Sequence, residues 1–416
     1  MKNKILNNYF FLLFSIIPLT IIIGPAISLS TILLIDFSFI LLLLYKNEYK
    51  FLSNKTVKLI LLLCLYLIFN SLIAKDFSTS ASRNFGFIRF GILFLAFNYF
   101  FIDSNFSKKI LIIWTLTLSI LVIDVYIEIF TGRNILGYGE LYGSRIVSFF
   151  KDEPIVGGYI NAFYLIIIGY LFNLFKDSST KYKYIILVIS IMFILAILLT
   201  GERSNAIKAF IGFFIFYSIN DNFKLKQKIF SISLFLILIV LLFSGSDYLK
   251  TRYLSQFLKP VIEQIKSRDK SEIFDKEKNI YAVLYRSGFT VFKNYPVFGV
   301  GNKNYRIETC INKASGDYYC NTHPHQTYFE FLAEHGLLGS VILLFIFFSL
   351  IFQKIKSILD VRNYIQVGCL MFLMTSFIPL LPSGAFFSDY ALTLFWLNLS
   401  LMYSVDKKTN VYSSGK

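Results

Sequence analysis

The side chains best suited to proton transfer are concentrated in one short stretch of the sequence. All three histidines of the chain lie there, as His323, His325 and His335. Histidine is the side chain whose ordinary pKa suits general acid–base chemistry near neutral pH. The stretch closes a long polar segment and leads directly into a strongly apolar run. If the chain catalyses a reaction, we expect the reaction here.

The pair His323 and His325 could serve proton transfer or could bind a metal ion. In an extended segment their side chains would face the same side, so a shared metal ion is conceivable. A zinc site needs a third and usually a fourth ligand, and no cysteine or acidic cluster stands at the usual close spacing. Metal binding is therefore the minor interpretation. For His335 a structural role near a helix end is favoured.

Two arginines are candidates for binding an anion. Arg203 lies in the short polar turn of residues 200–205 between two apolar runs. An arginine at membrane depth is costly and suggests function, although pairing with Glu202 or with lipid phosphate is an equally good explanation. Arg286 lies within residues 280–292, where apolar residues recur at helical spacing. This pattern predicts an amphipathic helix against the membrane face, with Arg286 pointing to the helix bundle or snorkelling.

Further candidates for substrate contacts lie around these residues. Gly299 and Gly301 belong to a turn-rich segment whose backbone N–H groups could approach an anion, although a lone Gly-x-Gly is weak evidence. Arg145 lies in the Gly-rich loop of residues 131–158. Asp389 is expected near the outer membrane face, where it either pairs with an arginine, orients a histidine, or only begins a helix.

The four cysteines divide into two groups. Cys310 and Cys320 lie in the long polar segment, and a disulfide between them is plausible in an oxidising compartment. Cys64 and Cys369 lie within apolar runs and are expected to be packing residues.

The composition shows what must position these residues. Of the 416 residues, 56% are hydrophobic and the mean hydropathy is +0.63, which is too apolar for an ordinary soluble domain. Apolar runs of roughly 15–20 residues alternate with short polar segments, as in a polytopic helical membrane protein. The first run has no cleavage-site signature, so we expect it to be retained. The sequence predicts an all-α bundle of about twelve transmembrane helices, over residues 9–23, 26–45, 57–73, 85–102, 110–130, 159–175, 184–199, 206–219, 229–243, 336–352, 364–381 and 387–403.

The charge distribution orients these spans. The formal charge is +16, but the lysines form short clusters between alternate apolar runs, as the positive-inside rule predicts. This distribution argues against nucleic-acid binding and puts both termini in the cytoplasm and the long polar segment outside. We therefore expect three parts: about nine spans in 1–243, an outer loop with amphipathic helices and catalytic elements in 244–335, and about three spans in 336–416. Within the loop, residues 267–278 are highly charged and are expected to form a solvated helix or mobile loop.

Three local patterns together resemble the O-antigen ligase family. His325-Gln326, nine residues, Gly336, two residues and Gly339 fit the family pattern His-[Asn/Ser/Gln]-x9-Gly-x-x-[Gly/Thr/Tyr]. The segment from Arg286 to Asn302 is similar to the one that precedes that histidine, and the turn around Arg203 resembles one that carries an essential arginine. The wider group includes O-antigen polymerases and bacterial protein O-oligosaccharyltransferases, which share the histidine motif.

The resemblance implies a GT-C-type glycosyltransferase at the periplasmic side of the bacterial inner membrane, inverting and without metal or cofactor. Its donor would be a polysaccharide on undecaprenyl diphosphate, and its acceptor a hydroxyl of lipid A–core or another glycan. His325 would be the general base, and Arg203 and Arg286 would bind the diphosphate. Substrate contacts would come from the other candidates, Gly299, Gly301, His323, Asp389 and Arg145.

The first interpretation is an O-antigen ligase. An O-antigen polymerase, with a lipid-linked glycan as acceptor, and a protein O-oligosaccharyltransferase are alternatives of the same fold. A flippase or other transporter of lipid-linked sugars is an alternative of a different class. It would need polar residues deep within several spans.

Overall fold

The computed structural model describes residues 2–139, 145–151, 153–259, 262, 279–312 and 317–413. All regular secondary structure in these residues is helical, which confirms the predicted all-α class. The charged segment 267–278 lies outside the described residues.

Seventeen α-helices follow one another along the described chain. The first seven are α1 Lys2–Ile23, α2 Pro25–Lys46, α3 Lys55–Leu72, α4 Phe77–Gly86, α5 Ile88–Phe100, α6 Ser104–Thr131 and α7 Val156–Leu174. The next four are α8 Thr180–Leu199, α9 Arg203–Ile219, α10 Leu225–Gly245 and α11 Asp247–Leu249, which continues into a π-helix, Lys250–Leu258. The last six are α12 Ile280–Asn294, α13 Tyr305–Ile311, α14 Thr327–Phe352, α15 Ile355–Val361, α16 Tyr364–Thr375 and α17 Asp389–Ser404. Two short 3₁₀-helices cover Lys50–Ser53 and Ser148–Phe150.

Every apolar run predicted to span the membrane coincides with one of these helices. Among the described residues, 8 helices are long and apolar enough to cross a membrane, so the chain is a multi-pass membrane protein. They are α1, α2, α3, α6, α7, α8, α10 and α14. The other four runs form shorter helices, α5, α9, α16 and α17, with 13, 17, 12 and 16 residues. The count of twelve spans, the orientation and the three-part division therefore stay predictions.

Helix α7 forms the centre of the bundle. In its most apolar stretch 83% of the residues are buried, against 11% in α10. Helix α16 crosses it at very close range, because a Cβ at Gly169 would overlap the Tyr364 backbone and one at Gly368 would overlap the Leu165 backbone. Small residues of this kind let transmembrane helices approach backbone to backbone. The centre of the bundle is consequently rigid, whereas α10 stands at its side.

Helix α14 is broken at Gly336, where φ is +63° and ψ is −169°. The break frees backbone groups that a continuous helix would pair internally. Residues 296–301 supply the missing partners. The amides of Val300 and Gly301 donate to the carbonyls of Ala333 and Glu334, at 3.0 and 2.9 Å.

On the other side of the break the direction of hydrogen bonding reverses. The amides of Leu337 and Leu338 donate to the carbonyls of Pro296 and Val297, at 2.8 and 3.2 Å. Residues 296–301 of the long polar segment are therefore fixed to the first turns of α14 through the backbone itself.

Replacing Gly336 tests this arrangement. A Cβ there would overlap the Val297 carbonyl, and the left-handed φ disfavours any other residue. We expect Gly336→Ala to lower the free energy of unfolding by on the order of 2–3 kcal/mol, measured by denaturant unfolding in detergent. The control is Gly245→Ala, because no heavy atom lies within 4 Å of a Cβ at Gly245. Equal stability of the two variants would contradict the proposed role of the break.

Candidate functional site

His325 lies immediately before the first turn of α14. Its φ is +55°, so the chain turns sharply there. Gln326 is the N-cap, and its side-chain oxygen accepts hydrogen bonds from the amides of Tyr328 and Phe329 at 2.8 and 3.0 Å. These bonds satisfy amides that the helix leaves without internal partners. The capped helix end thus fixes the backbone that presents His325.

The turn of residues 382–384, between α16 and α17, holds the histidine segment from the other side. The amide of Ser383 donates to the carbonyl of His325 at 2.8 Å. The hydroxyls of Ser383 and Thr327 are 3.2 Å apart and share a hydrogen bond. Sequence reasoning identified this segment only as a turn between two spans and missed Ser383. Its one signal was a polar residue between Pro382 and Gly384.

The rings of His323 and His325 lie side by side, with centroids 4.0 Å apart. Nε2 of His323 is 3.4 Å from the carbonyl oxygen of Ser383, which can only accept, so this nitrogen carries the proton. Nδ1 then accepts from the hydroxyl of Thr322 at 2.9 Å. Both ring nitrogens of His323 therefore have protein partners in one neutral tautomer.

Both imidazoles are kept neutral by their surroundings. Burial lowers the pKa of His323 to about 3, with smaller contributions in the same direction from the nearby His325 and Lys303. Burial also lowers the pKa of His325, which the Ser383 carbonyl partly opposes. A neutral imidazole is the form that can accept a proton.

Helix α12 covers the histidine segment, and the sequence predicted its amphipathic pattern. Tyr281 lies with its ring centroid 6.3 Å from that of His325, and Tyr285 stacks on Phe329 at 5.2 Å. One turn further, a Cβ at Gly288 would approach Pro324 to 2.8 Å. The same face of α12, at positions 281, 285 and 288, therefore packs against the segment that carries His325.

Arg286 lies next to this packed face, on the exposed side of α12. It forms an ion pair with Asp317, and the two side chains are 44% and 49% exposed. Asp317 belongs to the loop closed by the bond between Cys310 and Cys320, whose sulfurs are 2.03 Å apart. The predicted disulfide is confirmed, as are the buried positions of the free cysteines Cys64 and Cys369.

Arg203 begins α9 and belongs to a group of three arginines, Arg145, Arg203 and Arg252. Arg203 donates to the backbone carbonyl of Gln256 at 2.7 Å, and Arg252 donates to that of Gly201 at 3.0 Å. Burial lowers the pKa of Arg252, and repulsion by Arg145 and Arg203 lowers it further. Arg145 and Arg203 are thus both close enough to Arg252 to repel its charge. Sequence reasoning selected Arg145 and Arg203 but missed Arg252, which only the fold of the π-helix brings to them.

Glu202 is not the partner of Arg203 in the described part of the chain. Its carboxylate accepts hydrogen bonds from the amides of Gly157 and Gly158 at 2.5 and 3.1 Å and from Asn205 at 2.7 Å. Burial raises the pKa of Glu202, while these donors and Arg145 lower it. Glu202 therefore ties the start of α9 to the start of α7. The guanidinium of Arg203 instead contacts the carbonyl of Gln256.

A cavity of about 270 Å³ connects the two halves of the site. Glu202, Asn205 and Lys208 of the α9 side line it, and so do Thr327 and Ser383, which hold the histidine segment. The fold therefore brings the turn of Arg203 and the segment of His325 to walls of one cavity, although they are distant in sequence. Its volume approaches the lower end of the range for small-molecule sites, on the order of 300–1,000 Å³.

Other predicted contact residues have protein partners. The amide of Gly301 donates to the carbonyl of Glu334 at 2.9 Å and so supports the broken helix. The amide of Gly299 donates to the carbonyl of Tyr295 at 3.1 Å, and the missing Cβ of Gly299 lets the backbone of α14 approach closely at the break. Asp389 pairs with arginines, as one interpretation predicted: it accepts from Arg83 at 2.5 Å and from Arg89. Substrate binding by Gly299, Gly301 and Asp389 stays a prediction that these contacts do not support.

His335 and Gly339 have structural roles inside α14, where both contact Tyr66. Nδ1 of His335 lies 3.1 Å from the hydroxyl of Tyr66, within hydrogen-bond distance. A Cβ at Gly339 would overlap this same hydroxyl. Gly339 therefore leaves the space that Tyr66 needs in order to reach His335.

No group of three or more His, Cys, Asp or Glu side chains in the described ranges lies close enough to hold a metal ion. A reaction without a metal stays a prediction.

The comparison with protein families found a match for part of the chain. Residues 185–344 match a family model described as O-antigen ligase. The matched segment runs from α8 into α14 and includes Arg203, Arg286, His325 and both glycines of the histidine pattern. The search of curated proteins found no relative of the chain. The resemblance predicted from the sequence is confirmed for this segment.

The cap at Gln326 can be tested by two substitutions. Gln326→Ala removes the oxygen that caps α14, and we expect a loss of about 1 kcal/mol in the free energy of unfolding in detergent. Gln326→Asn keeps an oxygen that can cap, so we expect it to stay within about 0.5 kcal/mol of the natural chain. If Asn is as damaging as Ala, the amide has a role other than capping.

Proposed function

We propose that the chain transfers a polysaccharide from undecaprenyl diphosphate to a hydroxyl of lipid A–core, because its residues 185–344 match a family model described as O-antigen ligase. The reaction would take place at the periplasmic face of the bacterial inner membrane. Both substrates are anchored in lipid, which accounts for an active site at the end of a membrane bundle. Cleavage of the bond between the sugar and the diphosphate would supply the energy.

In this proposal His325 is the general base. The acceptor hydroxyl oxygen forms a bond to the anomeric carbon of the donor sugar, and its proton passes to the imidazole of His325. The bond between that carbon and the diphosphate oxygen breaks, and the diphosphate leaves with the electron pair. Attack from the side opposite the leaving group inverts the anomeric carbon. The proton taken by His325 is then returned to solvent.

The observation that carries the proposal is the environment of His325. Burial lowers its pKa, its backbone is fixed by Ser383 and by the capped α14, and the nearby Thr327 and Ser383 line the cavity that Glu202 and Asn205 also line. His323, by contrast, already has partners at both nitrogens. This contrast favours His325 as the base and gives His323 a supporting role.

The leaving group needs cations, because its charge grows as the bond breaks. Guanidinium groups offer planar, paired donors to phosphate oxygens. We assign this role to Arg203, with Arg145 beside it, and to Arg286. Arg286 would have to exchange its exposed ion pair with Asp317 for the diphosphate, which is feasible because exposed pairs contribute only about 0–1 kcal/mol.

Reconstitution in proteoliposomes tests the function directly. We expect the natural chain to transfer polysaccharide to lipid A–core without added divalent cation, and His325→Ala to be slower by about 10²–10⁴-fold. Lys356→Ala is the control, because Lys356 is exposed and lies beyond the opposite end of α14 from His325. Transfer only to a second lipid-linked glycan would identify a polymerase, and transfer only to protein would identify an oligosaccharyltransferase. Movement of the donor across the bilayer without transfer would identify a transporter. A requirement for divalent cation would contradict the metal-free mechanism.

The pH dependence follows from the lowered pKa of His325. A base must be neutral to accept a proton, and a lowered pKa keeps the imidazole neutral to more acidic pH. We therefore expect kcat/KM to be constant through neutral pH and to fall only below the ordinary histidine pKa of about 6.5. An acid limb at or above that value would contradict the assignment of His325 as a buried base.

A further inference from the structure

A pocket of about 150 Å³ lies where α1 and α2 meet, beside the start of α17. Its wall includes Ile23, Gly24 and Pro25 of the α1–α2 corner, together with Arg89 of α5 and Asp389 of α17. The volume is below the roughly 300–1,000 Å³ that is usual for a whole small-molecule ligand. The pocket therefore has room for one unit of a larger molecule.

Both donors and acceptors of hydrogen bonds line this pocket. Arg89 and Lys151 supply donors, Glu153 supplies acceptors, and the hydroxyls of Ser28 and Thr393 can do either. Most of the other lining residues are apolar. A sugar unit presents the same two kinds of surface, because it carries hydroxyl groups that donate and accept and carbons that carry only hydrogen. Carbohydrate is therefore the class of ligand that this wall fits.

Arg89 is held in place without using all of its donors. Asp389 accepts from Arg83 at 2.5 Å and from Arg89, whose side chain is 12% exposed. The Nε of Arg89 is buried and has no hydrogen-bond partner in the described part of the chain. The protein thus leaves part of the guanidinium unsatisfied, which favours a polar ligand beside it. Asp389 positions Arg89 and need not touch the ligand itself.

The pocket adjoins the cavity beside the histidines. Ile155 and Tyr390 line both. The hydroxyl of Tyr390 donates to the carbonyl of Ile155 at 3.0 Å, so this contact forms part of the partition. A Cβ at Gly158, which lines the cavity, would lie 3.5 Å from the same hydroxyl. A sugar in the pocket is therefore next to the cavity that Thr327 and Ser383 line.

The pocket is built from parts of the chain outside the family match. Its described lining residues come from α1, α2, α5, α17 and the segment before α7, all outside residues 185–344. Arg203, Arg286 and His325, which the proposed mechanism assigns to the diphosphate and to proton transfer, lie inside the match. At the rim Ile23 is 54% exposed, so in a bilayer the pocket borders lipid. A second lipid-anchored substrate could therefore reach the cavity from this side.

We propose that this pocket binds a sugar unit of the acceptor glycan and thereby determines which acceptor is used. The inference rests on the proposed function and adds to it the place where the acceptor is recognised. The lipid of the acceptor would lie against the α1–α2 corner, and its glycan would pass Tyr390 to bring the reacting hydroxyl into the cavity. Arg89, Lys151 and Glu153 are then residues that determine specificity without contacting the reacting atoms.

Two exposed residues of the pocket wall test this role by kinetics. The pocket variant combines Lys151→Ala with Glu153→Ala, and the control combines Lys176→Ala with Asp177→Ala, two exposed residues at the other end of α7. In proteoliposomes we expect the pocket variant to raise the KM for lipid A–core about tenfold, with kcat and the KM for the donor unchanged. The control should match the natural chain. An unchanged KM for lipid A–core, or a raised KM for the donor instead, would overturn the proposal.

Direct binding provides a test that does not depend on transfer. Ile23→Trp puts a large ring at the rim of the pocket. Ile27→Trp is the control, because Ile27 is 47% exposed at the same corner but is not among the described residues that line the pocket. With lipid A–core as the probe and the protein in detergent, we expect Ile23→Trp to raise Kd about tenfold and Ile27→Trp to leave it unchanged.

The outcomes of the binding test separate the two proposals. Excess phosphatidylglycerol should not displace the probe, because it lacks the glycan. Equal Kd values for the two variants, displacement by phosphatidylglycerol, or a natural chain that does not bind lipid A–core would overturn the inference. Weakened binding by Ile23→Trp, in a protein whose natural chain transfers no glycan, would support the pocket and count against the proposed function.

Discussion

The break of α14 at Gly336 is the constraint on which the candidate site depends. A broken helix in the bundle must find new partners for its freed amides and carbonyls, since unpaired groups are costly in an apolar environment. Residues 296–301 provide these partners through backbone hydrogen bonds in both directions. The same exchange fixes the long polar segment above the bundle, and with it the position of α12 over His325.

This constraint gives a physical meaning to the histidine pattern, by which the sequence resembles the O-antigen ligase family. Gln326 caps the helix, Gly336 permits the break, and Gly339 leaves space for Tyr66. Asn and Ser, the other residues that the pattern allows after the histidine, are also good caps. Only His325 in this pattern has a chemical role in the proposed mechanism. The rest of the pattern builds the backbone that holds it.

The beginning of α9 organises the other half of the site. Glu202 ties it to α7, the rigid centre of the bundle, and thereby fixes Arg203 relative to the cavity. The neighbouring cations lie on segments that are far apart in sequence, at 145, 203 and 252. Like charges gather only where something opposite is bound or where solvent screens them. In the proposed mechanism a lipid diphosphate supplies the opposite charge.

The sequence by itself determined the all-α class, the helical runs, the amphipathic helix around Arg286 and the residues of the histidine pattern, and it allowed a disulfide between Cys310 and Cys320. These follow from local periodicity and from residue chemistry, both of which can be recognised from residues that are close together in the sequence. Only the tertiary structure decided that Gly299 and Gly301 support a helix break, that Arg252 joins Arg203, and that Ser383 holds His325. It also decided that Asp389 pairs with Arg83 and Arg89. Each of these depends on which partner a polar group finds after the helices pack. The two partners lie on segments that are distant in sequence, and no local pattern in either segment indicates that they will meet.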